Sequence, residues 1–505
     1  MKNRIRERLF GPRASTKSSG IETLLFSLFN AVMNFTKSVI VASRYGASAT
    51  SDAYYATVNL INAPATLLSD SLTATVLPRY IGHKQKNEER DYLSSYLSVV
   101  ALAFTLLCVI FLLFGNKLAA LVLGGFRQET LTAVDGLILL SLPTIVFAPL
   151  TIVLDSALRA ERFFIFGNIG GAINSVVSVL LIFFLSRSGV SGVVVATVIG
   201  IAANLVILAW SAVRKGLLPG KIDLVMGIRE AKAALPLLAG GIVGVATSYV
   251  EKYFASFLDA GTMTLLNMSS SIAGVAQGLL VGALISVYYP FVSAAVVAND
   301  QGAFDALMKK AMRLIFGVFG LAVICMITFA DPLFGLLFGH GKFSADAVSS
   351  LSRLFGISSF GVIYTAIAYL ANYAYYARSD TKSPVLVSLV TTSLGGVALQ
   401  AALVGPLGAK GLLVALNIAN LADLIAKTLW LRKKHGFKVL SSRDIILVLL
   451  LLAACLGGGW LSWSPWMLLA PVVFYLAISL GVFRLSPRAI VAILSRRSEP
   501  NEDAA

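Results

Sequence analysis

Residues 99–114 read Val99-Val-Ala-Leu-Ala-Phe-Thr-Leu-Leu-Cys-Val-Ile-Phe-Leu-Leu-Phe114, without a single charged side chain. With its neighbours, this run reaches the length of about 20 residues that a helix needs to cross the hydrocarbon core of a bilayer. Only helices and closed barrels satisfy all their backbone polar groups in lipid, and barrel strands are shorter and alternate in polarity. The run therefore predicts a transmembrane helix.

Comparable apolar runs recur along all 505 residues, of which 57% are hydrophobic and only 13% charged. The mean hydropathy is +0.83, whereas a soluble domain carries about 25% charged residues. This composition excludes a cytoplasmic enzyme, a disordered chain and a fibrous protein. We predict an all-α polytopic membrane protein with about 14 transmembrane helices, near residues 21–44, 53–78, 93–114, 131–158, 163–186, 190–213, 234–258, 263–293, 313–338, 350–377, 384–406, 409–431, 444–464 and 466–484.

The distribution of positive charge predicts the orientation of these spans. The chain has 41 Lys and Arg residues against 25 Asp and Glu, a net charge of +16. With fourteen spans, both termini and the even-to-odd connections share one side, which carries 31 of the basic residues, while the other side carries 7. Cytoplasmic loops are enriched in Lys and Arg. We therefore expect both termini in the cytoplasm, and no nucleic-acid partner is needed to explain the charge.

Three pairs of similar segments indicate an internal repeat. Residues 67–78 resemble 279–290, the junction at Phe126 resembles that at Phe343, and residues 189–196 resemble 408–415, at offsets of 212, 217 and 219. Six spans per copy give both copies the same orientation, which is typical of transporters that work by alternating access. We predict two parallel six-helix repeats plus two C-terminal helices, divided as follows: a basic cytoplasmic tail (1–20), an N-terminal bundle (21–213), a cytoplasmic linker (214–233), a C-terminal bundle (234–431), two extra helices (444–484) and a cytoplasmic tail (485–505).

No motif in the sequence predicts catalysis, a cofactor or a metal centre. Walker A, HExxH and GxSxG patterns are absent, and the polar connections are short. The three cysteines, Cys108, Cys325 and Cys455, are widely spaced in apolar runs and form no CxxC motif. We therefore expect a protein that is not an enzyme.

Charged side chains inside predicted spans are candidate functional residues, because a charge in hydrocarbon is costly unless it is paired or faces water. We predict that the substrate contacts five of them: Lys37, Asp52, Asp70, Glu251 and Lys252. Two more, Asp423 and Lys427, are four residues apart and so share one face of a helix, as an ion site or as a structural pair.

Structural alternatives exist for several of these residues. Asp52 could cap the second span at its N-terminus, and Lys252 could extend towards the outer interface. Lys37 and Asp70 could pair with each other. A tyrosine cluster in the tenth span could form an interfacial belt or a surface on which sugars stack; it comprises Tyr364, Tyr369, Tyr373, Tyr375 and Tyr376.

Several segments resemble the MurJ (MviN) lipid II flippase family, part of the superfamily of multidrug, oligosaccharidyl-lipid and polysaccharide exporters. The most specific resemblance is Tyr375-Tyr-Ala-Arg-Ser-Asp-Thr-Lys-Ser-Pro384, which is similar to a Phe-Tyr-Ala-Arg-x-Asp-Thr-x-Thr-Pro stretch after the tenth span of the family. The other segments that resemble the family are residues 45–55, 254–267, 341–344 and 405–411. Together they cover nearly the whole chain.

The resemblance implies a flippase of the bacterial inner membrane that moves an undecaprenyl-pyrophosphate-linked saccharide, lipid II or a related envelope precursor, by alternating access. Its partners would be this polyprenyl-pyrophosphate-linked saccharide, membrane lipids and a coupling cation, and spans 13 and 14 would form a lipid groove. Arginines of the family are thought to hold the pyrophosphate. The sequence departs from them at Ala31, Ala65 and Ser271, and only Lys37 keeps a positive charge.

Three other functions are compatible with the same residues. A divergent paralogue for another lipid-linked saccharide would explain the missing arginines better than a lipid II flippase does. A cation-coupled multidrug exporter would use Asp52, Asp70 or Asp423 as its ion site. A scaffold of an envelope assembly complex would need none of the intramembrane charges.

Overall fold

The structure, a computed structural model, describes residues 16–232 and 235–458; within these ranges it does not describe the side chains of 16–21, 24, 67–75, 235–243, 286, 442 and 457–458. Over this part of the chain all regular structure is helical. The helices are α1 (Thr16–Tyr45), α2 (Ala49–Lys84), α3 (Glu89–Val122), α4 (Gln128–Ala160), α5 (Phe164–Leu185), α6 (Val190–Arg214), α7 (Leu224–Lys232), α8 (Leu235–Ser256), α9 (Thr262–Val297), α10 (Gln301–Leu314), α11 (Gly320–Phe338), α12 (Ala345–Ser358), α13 (Phe360–Ala377), α14 (Lys382–Ser388), α15 (Gly396–His435) and α16 (Ser442–Gly458).

The prediction of an all-α polytopic membrane fold is confirmed. Within the described ranges, nine helical segments are long and apolar enough to cross a membrane. Helices α2, α8 and α16 coincide with further predicted spans near 53–78, 234–258 and 444–464. The predicted span near 466–484 and most of both predicted tails lie outside the described residues.

One of the nine segments, Lys382–His435, holds two predicted spans. A π-helical stretch, Leu389–Gly395, joins α14 to α15, and α15 itself is interrupted at Gly408, which has φ +57° and ψ −136°. The chain reverses there, because Ser388 and Thr391 donate hydrogen bonds to Asp423 on the far side of the interruption. Glycine adopts a positive φ without strain, so it is the favoured residue at this position.

The described helices belong to two compact units. Unit 1 contains the residues up to Met268 together with Leu336–Val348, and unit 2 contains Ser269–Gly335 and the residues from Ser349 onwards. In unit 1, α4 packs against α2, α3 and α6, and α5 packs against α1 and α6. The predicted division into bundles at 21–213 and 234–431 stays a prediction.

Unit 2 has an apolar core to which most of its helices contribute. Its buried residues include Phe304 of α10, Phe360 of α13 and Leu424 of α15. Helix α16 belongs to the same core through Leu451 and Cys455. This predicted thirteenth span therefore packs into unit 2.

Candidate functional site

Helix α1 has a polar face that packs against α5. Asn30 accepts a hydrogen bond from the Ser175 hydroxyl at 2.9 Å, and the Asn168 amide donates to the Thr23 hydroxyl at 3.1 Å. Hydrogen bonds between such side chains join helices within membranes. These two hydrogen bonds hold α1 against α5 within unit 1.

Lys37 lies on α1 beyond these contacts. Its side chain is half-buried, and no hydrogen bond or ion pair engages its ammonium group among the described residues. An unneutralised cation within a membrane span requires an anionic partner or water. Lys37 is therefore suited to bind an anion other than the described side chains of this chain.

Asp52 has a different environment, because its carboxylate is buried and fully engaged. It accepts hydrogen bonds from the backbone N–H of Gly261 at 2.6 Å and of Thr264 at 2.7 Å, and from the Thr264 hydroxyl at 2.6 Å. These donors lie at the start of α9, so Asp52 of α2 caps another helix. Ser48, not Asp52, is the N-cap residue of α2. Asp52 therefore joins α2 to the start of α9, a role that was not predicted from the sequence.

The turn between α1 and α2 meets two other turns at this point; we call residues 46–48, 261–264 and 341–343 the turn junction, all within unit 1. The Lys342 N–H donates to the Ser43 carbonyl at 2.9 Å. Gly46 (φ +65°) and Gly341 (φ +74°) permit this approach, because a Cβ atom would lie 2.5 Å from the Lys342 oxygen in one case and 2.3 Å from the Ser43 oxygen in the other. Only glycine tolerates both the backbone angle and the contact.

Replacing Gly341 with alanine is expected to loosen the turn junction, because the new Cβ atom forces the two turns apart. The measurement is the labelling rate of a cysteine placed at Ala47 by a membrane-impermeant maleimide, which should rise severalfold. Gly335→Ala is the matched control, since a Cβ atom there meets nothing within 4 Å and alanine favours a helix. Equal labelling in both variants would contradict the role of the junction.

Two further candidates, Glu251 and Lys252, neutralise each other. The Lys252 ammonium lies 2.9 Å from a Glu251 carboxylate oxygen, and both side chains are largely buried. The neighbouring Tyr249 hydroxyl donates to the Asn59 carbonyl at 3.0 Å, which fixes α8 against α2. The pair contributes no net charge to a site. The side chain of Asp70 lies outside the described part of α2.

Asp423 and Lys427 form a buried ion pair in α15, with an N–O distance of 2.8 Å and side-chain exposures of 0% and 5%. The carboxylate also accepts hydrogen bonds from Tyr364, Ser388 and Thr391, at 2.9, 2.9 and 3.0 Å. Four donors occupy the lone-pair positions of the two carboxylate oxygens. The predicted pairing is thus present, and three neighbouring hydroxyls complete it.

The segment that most resembles the family motif, residues 375–384, runs from the end of α13 through a turn into the start of α14. Asp380 accepts hydrogen bonds from Lys434 at 2.8 Å, from His435 at 3.0 Å and from the Ser383 N–H at 3.1 Å. Burial alone would raise the pKa of Asp380, but the hydrogen bonds from His435, Lys434 and Ser383 outweigh it and hold that pKa well below its usual range. Asp380 thereby fastens the start of α14 to the end of α15.

Asp380→Asn is expected to lower the thermal midpoint of the purified protein at pH 7, since hydrogen bonds to charged groups contribute about 1.5–3 kcal/mol. The lowered pKa means that the contribution is complete above about pH 4 and is lost as the pH falls further. The difference in thermal midpoint between Asp380→Asn and the wild type should therefore become smaller below pH 4. Asp305→Asn, at an exposed carboxylate, is the control; an equal loss in both would contradict the contact.

Sequence analysis missed a buried acidic group in the linker. Glu230 of α7 pairs with Arg79 at the end of α2 and lies 3.7 Å from His83. The same stretch of linker is bound to α3, because the Gly220 N–H donates to Ser94 at 2.8 Å. The sequence carries no clear signal for this burial, because the apolar residues of the segment, Leu224, Val225 and Ile228, are the exposed ones.

The positions that differ from family arginines are also placed by the structure. Ala31 of α1 and Ala65 of α2 are half-buried, and Ser271 of α9 is exposed. Each is small and uncharged, so none can replace the missing guanidinium.

The chain was compared with known proteins. The family model described as lipid II flippase MurJ matches residues 41–481. A probable lipid II flippase MurJ of Thermotoga maritima is 25% identical over 462 residues, which cover 87% of this chain and 92% of the relative. The lipid II flippase MurJ of Burkholderia cenocepacia is 22% identical over 479 residues, or 87% and 88% of the two chains.

Solved structures share the fold. A lipid II flippase MurJ in an inward closed conformation superposes with a TM-score of 0.75 at 19% identity, over 94% of this chain and all of that one. An inward-facing multidrug transporter of the MATE family gives a TM-score of 0.60 at 15% identity, over 82% of this chain and 98% of its own. Since the family model spans most of the sequence, the chain belongs to the MurJ family of lipid II flippases.

Proposed function

We propose that this protein moves lipid II, or a closely related undecaprenyl-pyrophosphate-linked saccharide, from the cytoplasmic to the periplasmic leaflet of the bacterial inner membrane. Membership of the MurJ family supports a translocator of lipid-linked saccharides. Such a substrate combines an anionic pyrophosphate, a polar saccharide and a long apolar chain, and each part needs its own environment.

The unneutralised charge of Lys37 is the observation that carries the proposal. Within the described part of the chain, the other five predicted intramembrane charges already have partners: Asp52 is held by Gly261 and Thr264, Glu251 pairs with Lys252, and Asp423 pairs with Lys427. Lys37 is then the group of this set that is available to a pyrophosphate. A lysine contacts phosphate as a point charge, without the two-pronged geometry of arginine.

The transport cycle we infer uses the turn junction as its outer closure. The excess of Lys and Arg supports a cytoplasmic location for both termini, and with this orientation the turn between α1 and α2 would lie on the periplasmic side. Its contacts with residues 261–264 and 341–343 must break for the substrate to leave outwards. Movement of two parallel repeats, driven by an ion or by the membrane potential, would open it. The prenyl chain would lie beside residues 444–484.

A cation-coupled multidrug exporter is the weaker candidate. That function would need a carboxylate free to bind a cation, and the two described candidates are engaged. Asp52 accepts three hydrogen bonds from α9, and Asp423 is paired with Lys427 and three hydroxyls.

Translocation in proteoliposomes tests the proposal. Lipid II with a fluorescent label on its head group would be placed in vesicles that contain the full-length protein, and a membrane-impermeant quencher would report the exposed fraction over time. We expect faster exchange between leaflets than in protein-free vesicles, with a dependence on an imposed membrane potential. Exchange at the protein-free rate, in vesicles with correctly inserted protein, would overturn it.

A further inference from the structure

Four tyrosines gather on the surface of unit 2, where α9 meets α13. The ring centroids of Tyr289 and Tyr373 lie 4.3 Å apart, those of Tyr369 and Tyr373 lie 6.0 Å apart, and those of Tyr373 and Tyr376 lie 6.3 Å apart. On α13 the spacing of 369, 373 and 376 places three rings on one face of the helix. We call these four residues the tyrosine platform.

The platform is open, unlike the other tyrosines of the predicted cluster. Tyr289, Tyr369 and Tyr376 are 45%, 41% and 42% exposed, and the four hydroxyls have no hydrogen-bond partner among the described residues. By contrast, Tyr364 donates to Asp423 and Tyr375 donates to the Lys427 carbonyl. The structure thus divides the cluster into two structural tyrosines and a platform whose hydroxyls are available.

Helix α9 continues the open surface away from Tyr289. Ser271, Gly274, Gly278 and Gly282 are exposed on the same face of the helix. A Cβ atom built at any of the three glycines would meet nothing within 4 Å. The face of α9 beside the platform therefore carries a row of small residues.

This face differs from the parts of the molecule that are suited to contact lipid tails. Helix α3 exposes large aliphatic side chains, with Leu102, Leu106 and Leu113 each more than 60% exposed. Aromatic belts sit at the level of the lipid head groups. The platform instead extends from Tyr376, at the end of α13, to Tyr369, a distance of about 10 Å along the helix axis. An aromatic surface of this depth, with free hydroxyls, suits an amphipathic ligand better than lipid tails or a belt.

We propose that the tyrosine platform binds the saccharide of the lipid-linked substrate; this inference rests on the proposed function and deepens it. The faces of tyrosine rings are apolar and pack against the C–H groups of a pyranose ring, while their hydroxyls can exchange hydrogen bonds with sugar hydroxyls. A neutral aromatic surface within unit 2 would then contact the sugar. Selection among lipid-linked saccharides would lie on α9 and α13.

Binding of two lipids to the full-length protein in nanodiscs tests whether the tyrosine platform contacts the saccharide. One lipid is undecaprenyl pyrophosphate, and the other is lipid II, which carries a disaccharide-pentapeptide on the same anchor. The double variant Tyr289→Leu/Tyr373→Leu should bind lipid II about tenfold more weakly, because two aromatic contacts are lost, and bind undecaprenyl pyrophosphate as the wild type does. The matched double variant with phenylalanine keeps the rings and should retain most of the affinity.

The alternatives give distinct results. Equal weakening for both lipids would assign the surface to the prenyl chain, and unchanged affinity for lipid II would leave the platform without a saccharide role; either result overturns the proposal. If the double variant does not elute as a folded protein, the single variant Tyr369→Leu, at an exposed tyrosine, provides the same comparison. Binding of neither lipid by the wild type would instead refute the proposed function, and the platform's role with it.

Discussion

Replacing Lys37 with methionine is expected to abolish translocation of lipid II in proteoliposomes while leaving expression and insertion unchanged. Methionine keeps an unbranched side chain of similar reach but removes the ammonium group. Hydrogen bonds to charged groups contribute about 1.5–3 kcal/mol each, so the loss of even one or two phosphate contacts reduces the rate about 10- to 100-fold or more. Because Lys37 has no partner among the described residues, removal of its charge should not destabilise the fold.

Two controls separate the role of Lys37 from a general effect of charge. Lys37→Arg should retain transport, because a guanidinium binds phosphate at least as well as an ammonium group. Lys117→Met removes an exposed cation that lies over the Phe114 ring, outside the predicted site, and should transport normally. Full activity of Lys37→Met would show that the pyrophosphate is held elsewhere.

The second large effect concerns the fold of unit 2. Lys427→Met should lower the free energy of unfolding by about 3–5 kcal/mol, because it leaves the Asp423 carboxylate buried without its counter-ion. Asp423→Asn should be destabilising in the same way, since Lys427 then keeps an uncompensated charge. The measurement is the thermal midpoint of the detergent-purified protein, followed by fluorescence or by loss of the monodisperse peak.

The double variant Asp423→Asn/Lys427→Met provides the decisive comparison. It removes both charges together, so it should be more stable than either single variant, as expected for a buried pair. Lys433→Met, at an exposed lysine on the same helix, should leave the midpoint unchanged. Additive losses in the double variant would contradict a direct coupling between the two side chains.

Most of the fold was predictable because the requirement to satisfy backbone groups in lipid leaves few solutions. Apolar runs near 93–114 and 131–158 correspond to α3 and α4. The sequence also identified the break at Gly408 as a turn between two spans. It did not reveal that α10 leads through a π-helical stretch, Ile315–Phe319, into α11, because the glycines of this boundary, Gly317 and Gly320, do not by themselves distinguish a π-helical turn from an α-helix.

The residues of the candidate site were predictable from the sequence, but whether each charge has a neutralising partner was not. Sequence identifies a charge within a span, yet whether a partner neutralises it depends on contacts between distant segments. Asp52 meets Gly261 and Thr264, more than 200 positions away, whereas Lys37 meets no counter-ion among the described residues. Adjacent or i,i+4 pairs, such as Asp423 and Lys427, are local and could be anticipated. The tyrosine cluster was visible as well, but only the fold separates its buried members from its exposed ones.

Complementation tests the central claim most directly. A host depleted of its own lipid II flippase would express this protein, the Lys37→Met variant or an empty vector, with insertion verified for each. We predict growth with the wild type and none with Lys37→Met, which would mean that lipid II is accepted with a lysine in place of the family arginines. Absence of growth with well-expressed, correctly inserted wild type would contradict lipid II as the substrate and would point to another lipid-linked saccharide.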